Sequence, residues 1–116
     1  MKRSESLRKK KEFRYTYRAG KSAGHHLLTL VYARSRQRET RIGFSVSRKI
    51  GNSVVRNRVK RRMREAVTPL IPEIRSNLNL IFIARDSIVD APFLDIRAAM
   101  RGTLSRAGVF QGNEKP

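Results

Sequence analysis

Residues 41–66 read "RIGFSVSRKIGNSVVRNRVKRRMREA", and within them the hydrophobic period changes from two to about 3.6. In the first seven residues Ile42, Phe44 and Val46 alternate with Arg41, Gly43, Ser45 and Ser47, which puts the two sets on opposite faces of a strand. The second set is small and mostly polar, as suits a strand with one face left open. Gly51 and Asn52 break the extended run, and Asn52 or Ser53 is placed to cap the helix that follows. At about 100° per residue, Val55, Val59, Met63, Ala66, Val67 and Leu70 fall within one arc of roughly 120°. That arc docks the helix. Asn57, Lys60, Arg61 and Arg64 lie opposite it, and Arg56, Arg58 and Arg62 flank it.

The segment Arg56–Arg64, "RNRVKRRMR", carries six cations in nine residues and no acid. Neighbouring like charges on a helix repel by a few tenths of a kcal/mol per pair. A merely solvated face usually mixes signs in i,i+4 pairs. Here eight cations run from Arg48 to Arg64 before Glu65 brings the first relief. Arginine outnumbers lysine, and its planar fork matches phosphate oxygens in pairs. The free backbone N–H groups of "GNSVV", beside Arg48 and Lys49, add the positive end of a helix dipole to the same region.

The whole chain repeats this imbalance. Its 116 residues hold 27 Lys and Arg against 9 Asp and Glu, a formal charge of +18. Self-repulsion on that scale destabilises a compact state unless a polyanion offsets it. Nucleic acid and an anionic membrane are the two ordinary choices. The charge is spread over several segments rather than along one amphipathic helix, which favours nucleic acid. No run of 18 apolar residues is present to span a bilayer. The first residues, "MKRSESLRKKKEF", have no apolar stretch of the secretory type. There is no cysteine, hence no disulfide, thiolate zinc site or thiol nucleophile. The expected location is cytoplasmic.

Working outward, "KKKEFRYTYRA" (Lys9 to Ala19) reads as a short helix with Gly20 as its stop. Phe13 and Tyr17 share a face at spacing four, and Tyr15 points elsewhere. "KSAGHH" reads as loop with a short strand. Leu27 to Ala33 is a strand with Leu28, Leu30 and Tyr32 on one face and Thr29 and Val31 on the other. "RSRQRET" then reads as a charged hairpin connection into the strand at residues 41–47. Thr68-Pro69 and Pro72 end the basic helix. "LNLIFIA" (Leu78 to Ala84) is a nearly continuous apolar run, as in a central strand. Asp90 and Pro92 open a last helix with Phe93, Ile96, Met100, Leu104 and Ala107 as its apolar stripe. The expected organisation is one α+β domain over residues 1–107, helices packed on a sheet, followed by a disordered tail over 108–116.

Nothing in the chain looks like a self-sufficient catalyst. The carboxylates from Glu5 to Asp95 are scattered, whereas metal-dependent nucleases gather two or more around Mg²⁺. His25 and His26 are adjacent, and in a strand they would point to opposite faces.

The block "GFSVSRKIGNSVVRNRVKRRMREA" resembles the signature of the bacterial ribonuclease P protein component, with an Arg-Asn-Arg helix after a Ser-Val-Ser strand and a Gly-Asn turn. "LRKKKEF" near the start and "LIFIARDSI" late in the chain agree in order and spacing, so the resemblance covers residues 7–107. It implies an α-β-β-β-α-β-α two-layer sandwich, ribosomal-protein-like, with a left-handed βαβ crossover. Generic sheet geometry would favour the right-handed form in about 98% of cases. It also implies the small basic subunit of a ribonucleoprotein that removes the 5′ leader from precursor tRNA. The partners are then the ribonuclease P RNA subunit and precursor tRNA, with one protein copy per RNA and neither DNA nor membrane. Chemistry is expected on the RNA subunit with its Mg²⁺, with no catalytic residue and no cofactor on this chain.

By position, the resemblance assigns Arg56, Asn57, Arg58, Lys60, Arg61 and Arg64, with Arg48 beside them, to the RNA subunit. It assigns Phe13, Tyr17, Thr29, Val31, Ser45, Ser47 and Lys49 to a cleft for the leader. Where some members offer an aromatic on the cleft strand, this sequence has Thr29 and Val31. Ordinary packing of the first helix on the sheet also accounts for Phe13 and Tyr17, and the two roles are compatible. A ribosomal-type structural RNA-binding protein is the alternative from size and charge. A DNA regulator fits less well, since a groove-reading helix is less uniformly directed at phosphate and usually comes with a dimer stripe.

Overall fold

Leu78–Ala84 is the strand around which the other elements are arranged. In the computed structural model, which describes residues 1–112, the elements follow the chain as α1 (Lys10–Ala19), β1 (Lys21–Gly24), β2 (Leu28–Arg34), β3 (Arg41–Ser45), α2 (Ser53–Val67), β4 (Leu78–Ala84) and α3 (Phe93–Ala107). The expected α-β-β-β-α-β-α order is the observed one. The strands form one sheet in the order β1-β2-β4-β3. β1 and β4 both run antiparallel to β2, while β3 runs parallel to β4. β3, α2 and β4 therefore make a βαβ unit whose two strands are direct neighbours.

The hairpin expected between β2 and β3 does not form, because β4 inserts between them. β4 is the most uniformly apolar strand, with Leu80, Ile81 and Phe82 fully buried, so it takes the central position covered on both faces. The connection from Ser35 to Thr40 packs instead on the residues leading into β4. Thr40 Oγ1 donates to the Arg75 carbonyl (2.5 Å) and accepts the Leu78 N–H (3.2 Å). The Asn77 amide donates to the Gln37 carbonyl at 2.8 Å, from a backbone with φ at 65°. Asn is among the residues that tolerate this left-handed conformation.

The register fixes what lies on each face. Leu28, Leu30, Tyr32, Ile42, Phe44, Leu80, Phe82 and Ala84 share one face by alternation and cross-strand pairing. Together with Val59, Met63, Ala66 and Val67 of α2 and Ile96, Ala99, Met100 and Leu104 of α3, they form the main core. Phe44 and Phe82 lie with ring centroids 6.3 Å apart near its centre. Asn52 caps α2 by accepting the Val55 N–H at 3.0 Å. At its other end α2 passes into a 3-10 turn, Thr68–Glu73, that contains both Pro69 and Pro72.

α1 lies on the opposite face. Thr16, fully buried, donates to the Glu12 carbonyl and accepts from the side chain of Asn79, which is 5% exposed. Gly20 ends α1 as expected, but for a different reason than a left-handed cap. Its φ is −85°, and an added Cβ would sit 2.5 Å from the Thr16 carbonyl oxygen and 2.8 Å from that of Tyr32. The helix end needs the space, not the rotation.

Two further segments are ordered that the sequence reading did not anticipate. Ser6 forms a parallel bridge to Ile42, and the Leu7 N–H donates to the Ile42 carbonyl at 2.9 Å, so the N-terminal segment covers part of the β3 edge. The tail expected to be disordered over 108–116 begins with a docked turn. Gly108, at φ 72°, closes α3 in the left-handed conformation. Val109 is buried and its carbonyl accepts the Arg75 N–H, while Phe110 bridges Ile74. Burying Val109 against the end of α3 supplies the apolar contact that usually accompanies such a cap. The remainder of that expectation, residues 113–116, lies outside the described residues.

Candidate nucleic-acid interface

α2 sorts its charge as its angular pattern requires. Val59, Met63, Ala66 and Val67 are buried, whereas Asn57, Arg58, Arg61 and Arg64 are exposed and Lys60 is half-buried. Arg48 and Lys49 stand exposed in the 3-10 turn just before α2, which Ser47 caps by accepting the Lys49 N–H. The arginines are not equivalent. Arg56 is turned back on the protein, its Nε donating to the Gly51 carbonyl (3.1 Å), and Arg62 donates to the Ala91 carbonyl (2.8 Å). Arg64 lies over the Phe44 ring at 5.5 Å from the centroid, a cation–π contact that holds the stem while leaving the guanidinium edge outward. Among the described residues no ion pair involves this helix; the two ion pairs are Arg41–Glu12 and Arg101–Glu73.

The other candidate surface is the sheet face that α1 only partly covers. Phe13 lies directly over Gly43, where an added Cβ would be 2.5 Å from the ring's Cζ, so the absence of a side chain seats the aromatic. Tyr17, 45% exposed, sits beside it with ring centroids 6.2 Å apart and planes tilted by 57°. Tyr15 is on the other flank, donating to the Arg34 carbonyl at 2.9 Å. Below α1 the sheet is closed: Ala33, Asn79, Ile81 and Gly43 are buried. One cross-strand row further on, Gly24, Thr29, Ile83 and Ser45 are paired side by side and at least partly exposed.

The structure thus brings Phe13, Tyr17, Thr29, Val31 and Ser45 to one face, with Ser47 and Lys49 continuing past the end of β3. Ile83 was missed as a member of this floor. The apolar run of β4 hides its own alternation, and only the pairing with Thr29 and Ser45 reveals which of its residues face outward. Gly43 was read as part of the small face but not as the seat of Phe13. The two candidate surfaces lie on opposite sides of the same strand, since Phe44 under Arg64 and Ser45 in the open row are consecutive.

His25 and His26, at the turn between β1 and β2, stack on each other at 4.7 Å. His25 Nδ1 accepts the Leu27 N–H, and burial, then the charges of His26 and Arg106, hold its pKa below the ordinary imidazole value. The neutral ring is the consistent form. Among the described residues no three His, Cys, Asp or Glu side chains gather in a way that would hold a metal ion. No helix among them is long and apolar enough to cross a membrane.

A small α+β domain with a wholly cationic helix and a shallow polar sheet face defines an RNA-binding protein of the small basic class. A family model described as Ribonuclease P matches residues 1–108. The ribonuclease P protein component of Clostridium botulinum (strain Langeland / NCTC 10281 / Type F) is 41% identical over 109 residues, covering 93% of this chain and 98% of that protein. The corresponding protein of Thermoanaerobacter sp. (strain X514) is 38% identical over 109 residues, covering 94% of each. The solved structure of Staphylococcus aureus RNase P protein aligns with a TM-score of 0.84 at 30% identity, over 92% of this chain and 98% of that one. The chain belongs to the ribonuclease P protein family. It is accordingly an RNA-binding subunit of the ribonuclease that processes tRNA 5′ ends.

Proposed function

We propose that the chain serves ribonuclease P by dividing two RNA contacts between the two faces of one sheet. α2 anchors the catalytic RNA through Arg48, Asn57, Arg58, Lys60, Arg61 and Arg64, with Arg56 stiffening the start of the helix. The open row beside α1 takes the 5′ leader of precursor tRNA, with Phe13 and Tyr17 as stacking partners and Thr29, Val31, Ser45, Ser47 and Lys49 as floor and rim. The observation that carries this reading is the separation itself: an acid-free cationic helix on one face and an aromatic-edged polar trough on the other.

Bond cleavage belongs in this reading to the RNA subunit and its Mg²⁺. This chain's carboxylates fit no such ion, since Glu12 and Glu73 are engaged by arginines and no third ligand joins them. What its residues supply is position and charge neutralisation: cations near the scissile region lower the repulsion between two polyanions. One protein copy per RNA, working in the cytoplasm, completes the proposal.

Reconstitution tests it. The purified chain alone should leave precursor tRNA uncut, and added to its RNA subunit it should restore cleavage at low Mg²⁺. Absence of stimulation with the cognate RNA would refute the assignment. The cleft has its own test. Tyr17→Ala removes a stacking surface worth about 1–3 kcal/mol per base, a weakening of roughly 5- to 150-fold. That loss should appear in holoenzyme affinity for precursor tRNA and spare mature tRNA. Equal loss for both substrates would remove the leader from the cleft.

A further inference from the structure

The flank of α1 that faces away from Phe13 and Tyr17 carries a second concentration of charge. Lys11, Arg14, Tyr15 and Arg18 recur at spacings of three and four, so they line one side of the helix. Facing them is the connection after β2, with Ser35, Arg36 and Gln37. Between the two lies an open groove of about 420 Å³. A second depression of about 630 Å³, lined by Arg3, Arg8, Lys9 and Arg41, continues it toward the N-terminus. Glu12 is the acid shared by both, and Arg41 already engages it at 3.3 Å. Among the described residues none of Lys11, Arg14, Arg18 or Arg36 is ion-paired.

A groove lined by one sign of charge attracts the opposite sign in extended form. Its width is shared between a helix and a loop, and the cations are spaced along it rather than converging on one point. That arrangement suits successive phosphates of a strand better than a single small anion. The groove also has a direction. Its N-terminal end reaches the outer edge of β3, where Ser6 bridges Ile42. Phe44, two residues along the same strand, lies under Arg64 of α2. Cations therefore run from the α1 flank around the β3 edge to the charged helix.

We propose that this groove is a second contact for the phosphodiester backbone of the RNA subunit, continuous with the α2 contact around the β3 edge. The proposal rests on the reading that α2 binds that RNA, so the experiment includes a variant for each. The full-length chain with Arg14→Ala and Arg36→Ala, both exposed and outside the core, is titrated against the RNA subunit across a salt series. Loss of two phosphate contacts should shrink the slope of log K against log salt by roughly 1.4–1.8. Affinity of the assembled holoenzyme for precursor tRNA should stay unchanged at every leader length. An unchanged slope overturns the proposal. So does a loss confined to precursors with long leaders, which would assign the groove to substrate. Arg61→Ala run in parallel separates the two levels. If it lowers the slope and the double variant does not, only the groove fails; if neither does, the anchoring role of α2 fails as well.

Discussion

Replacing Arg61 and Arg64 together by alanine should cost the protein much of its grip on the RNA subunit and little of its stability. Both side chains are exposed, and neither contributes to the docked arc of α2. At about 0.7–0.9 per phosphate contact, their removal should shrink the salt slope by roughly 1.4–1.8, and the loss in affinity should be largest at low salt. Arg62→Ala is the informative contrast. Arg62 is only three residues from Val59 and donates to the Ala91 carbonyl ahead of α3. Its loss should lower the unfolding midpoint, because a charged hydrogen bond contributes about 1.5–3 kcal/mol, while leaving the salt slope nearly intact. Binding titrations and urea melts on the same variants distinguish the two. If Arg62→Ala moved the slope as far as Arg61→Ala, the sorting of α2 into bound and outward arginines would be wrong.

The largest effect on stability is expected at Phe82. It is fully buried in the central strand, stacked beside Phe44 and surrounded by residues from both α2 and α3. Phe82→Ala removes a ring from a site closed on every side, at a cost of about 3–5 kcal/mol. A domain of this size has about 5–15 kcal/mol in total, and a charge of +18 works against the compact state. The variant should therefore lose most of its cooperative transition in low-salt buffer. Anions that bind the native state should restore part of it by mass action. Circular dichroism in urea, with and without sulfate, measures both effects. A midpoint equal to that of the parent chain would mean that Phe82 is not at the centre of the core.

α2 was legible in the sequence because two independent signals coincide there: a helical apolar arc and an acid-free remainder. β3 was legible for the same kind of reason, since Ile42, Phe44 and Val46 alternate with small polar residues. Sheet order was not. A charged connection of 35–41 suggests a hairpin, and only the greater burial available to β4 explains why that strand displaces it from between β2 and β3. Local patterns carry no information about which strands compete for the centre. The candidate cleft was half legible. Phe13 and Tyr17 share a helix face by spacing alone, but Ile83 joins the floor through a pairing between segments more than 35 residues apart. The ordered turn at Val109 was invisible because one valine among glycines and polar residues gives no periodicity. What fixes it is the Arg75 N–H, a partner far along the chain.

β3 has one further consequence. Phe44 and Ser45 are joined by a single peptide bond, yet one lies beneath the cationic helix and the other opens onto the trough. The spacing between the two proposed RNA contacts is therefore set by the thickness of a pleated sheet, not by a linker or a hinge. Such a spacer works as a rigid gauge: whatever RNA is held against Arg64 fixes where a strand crossing Ser45 must run. A slip of one residue in the pairing of β3 with β4 would exchange the faces and lose both contacts at once.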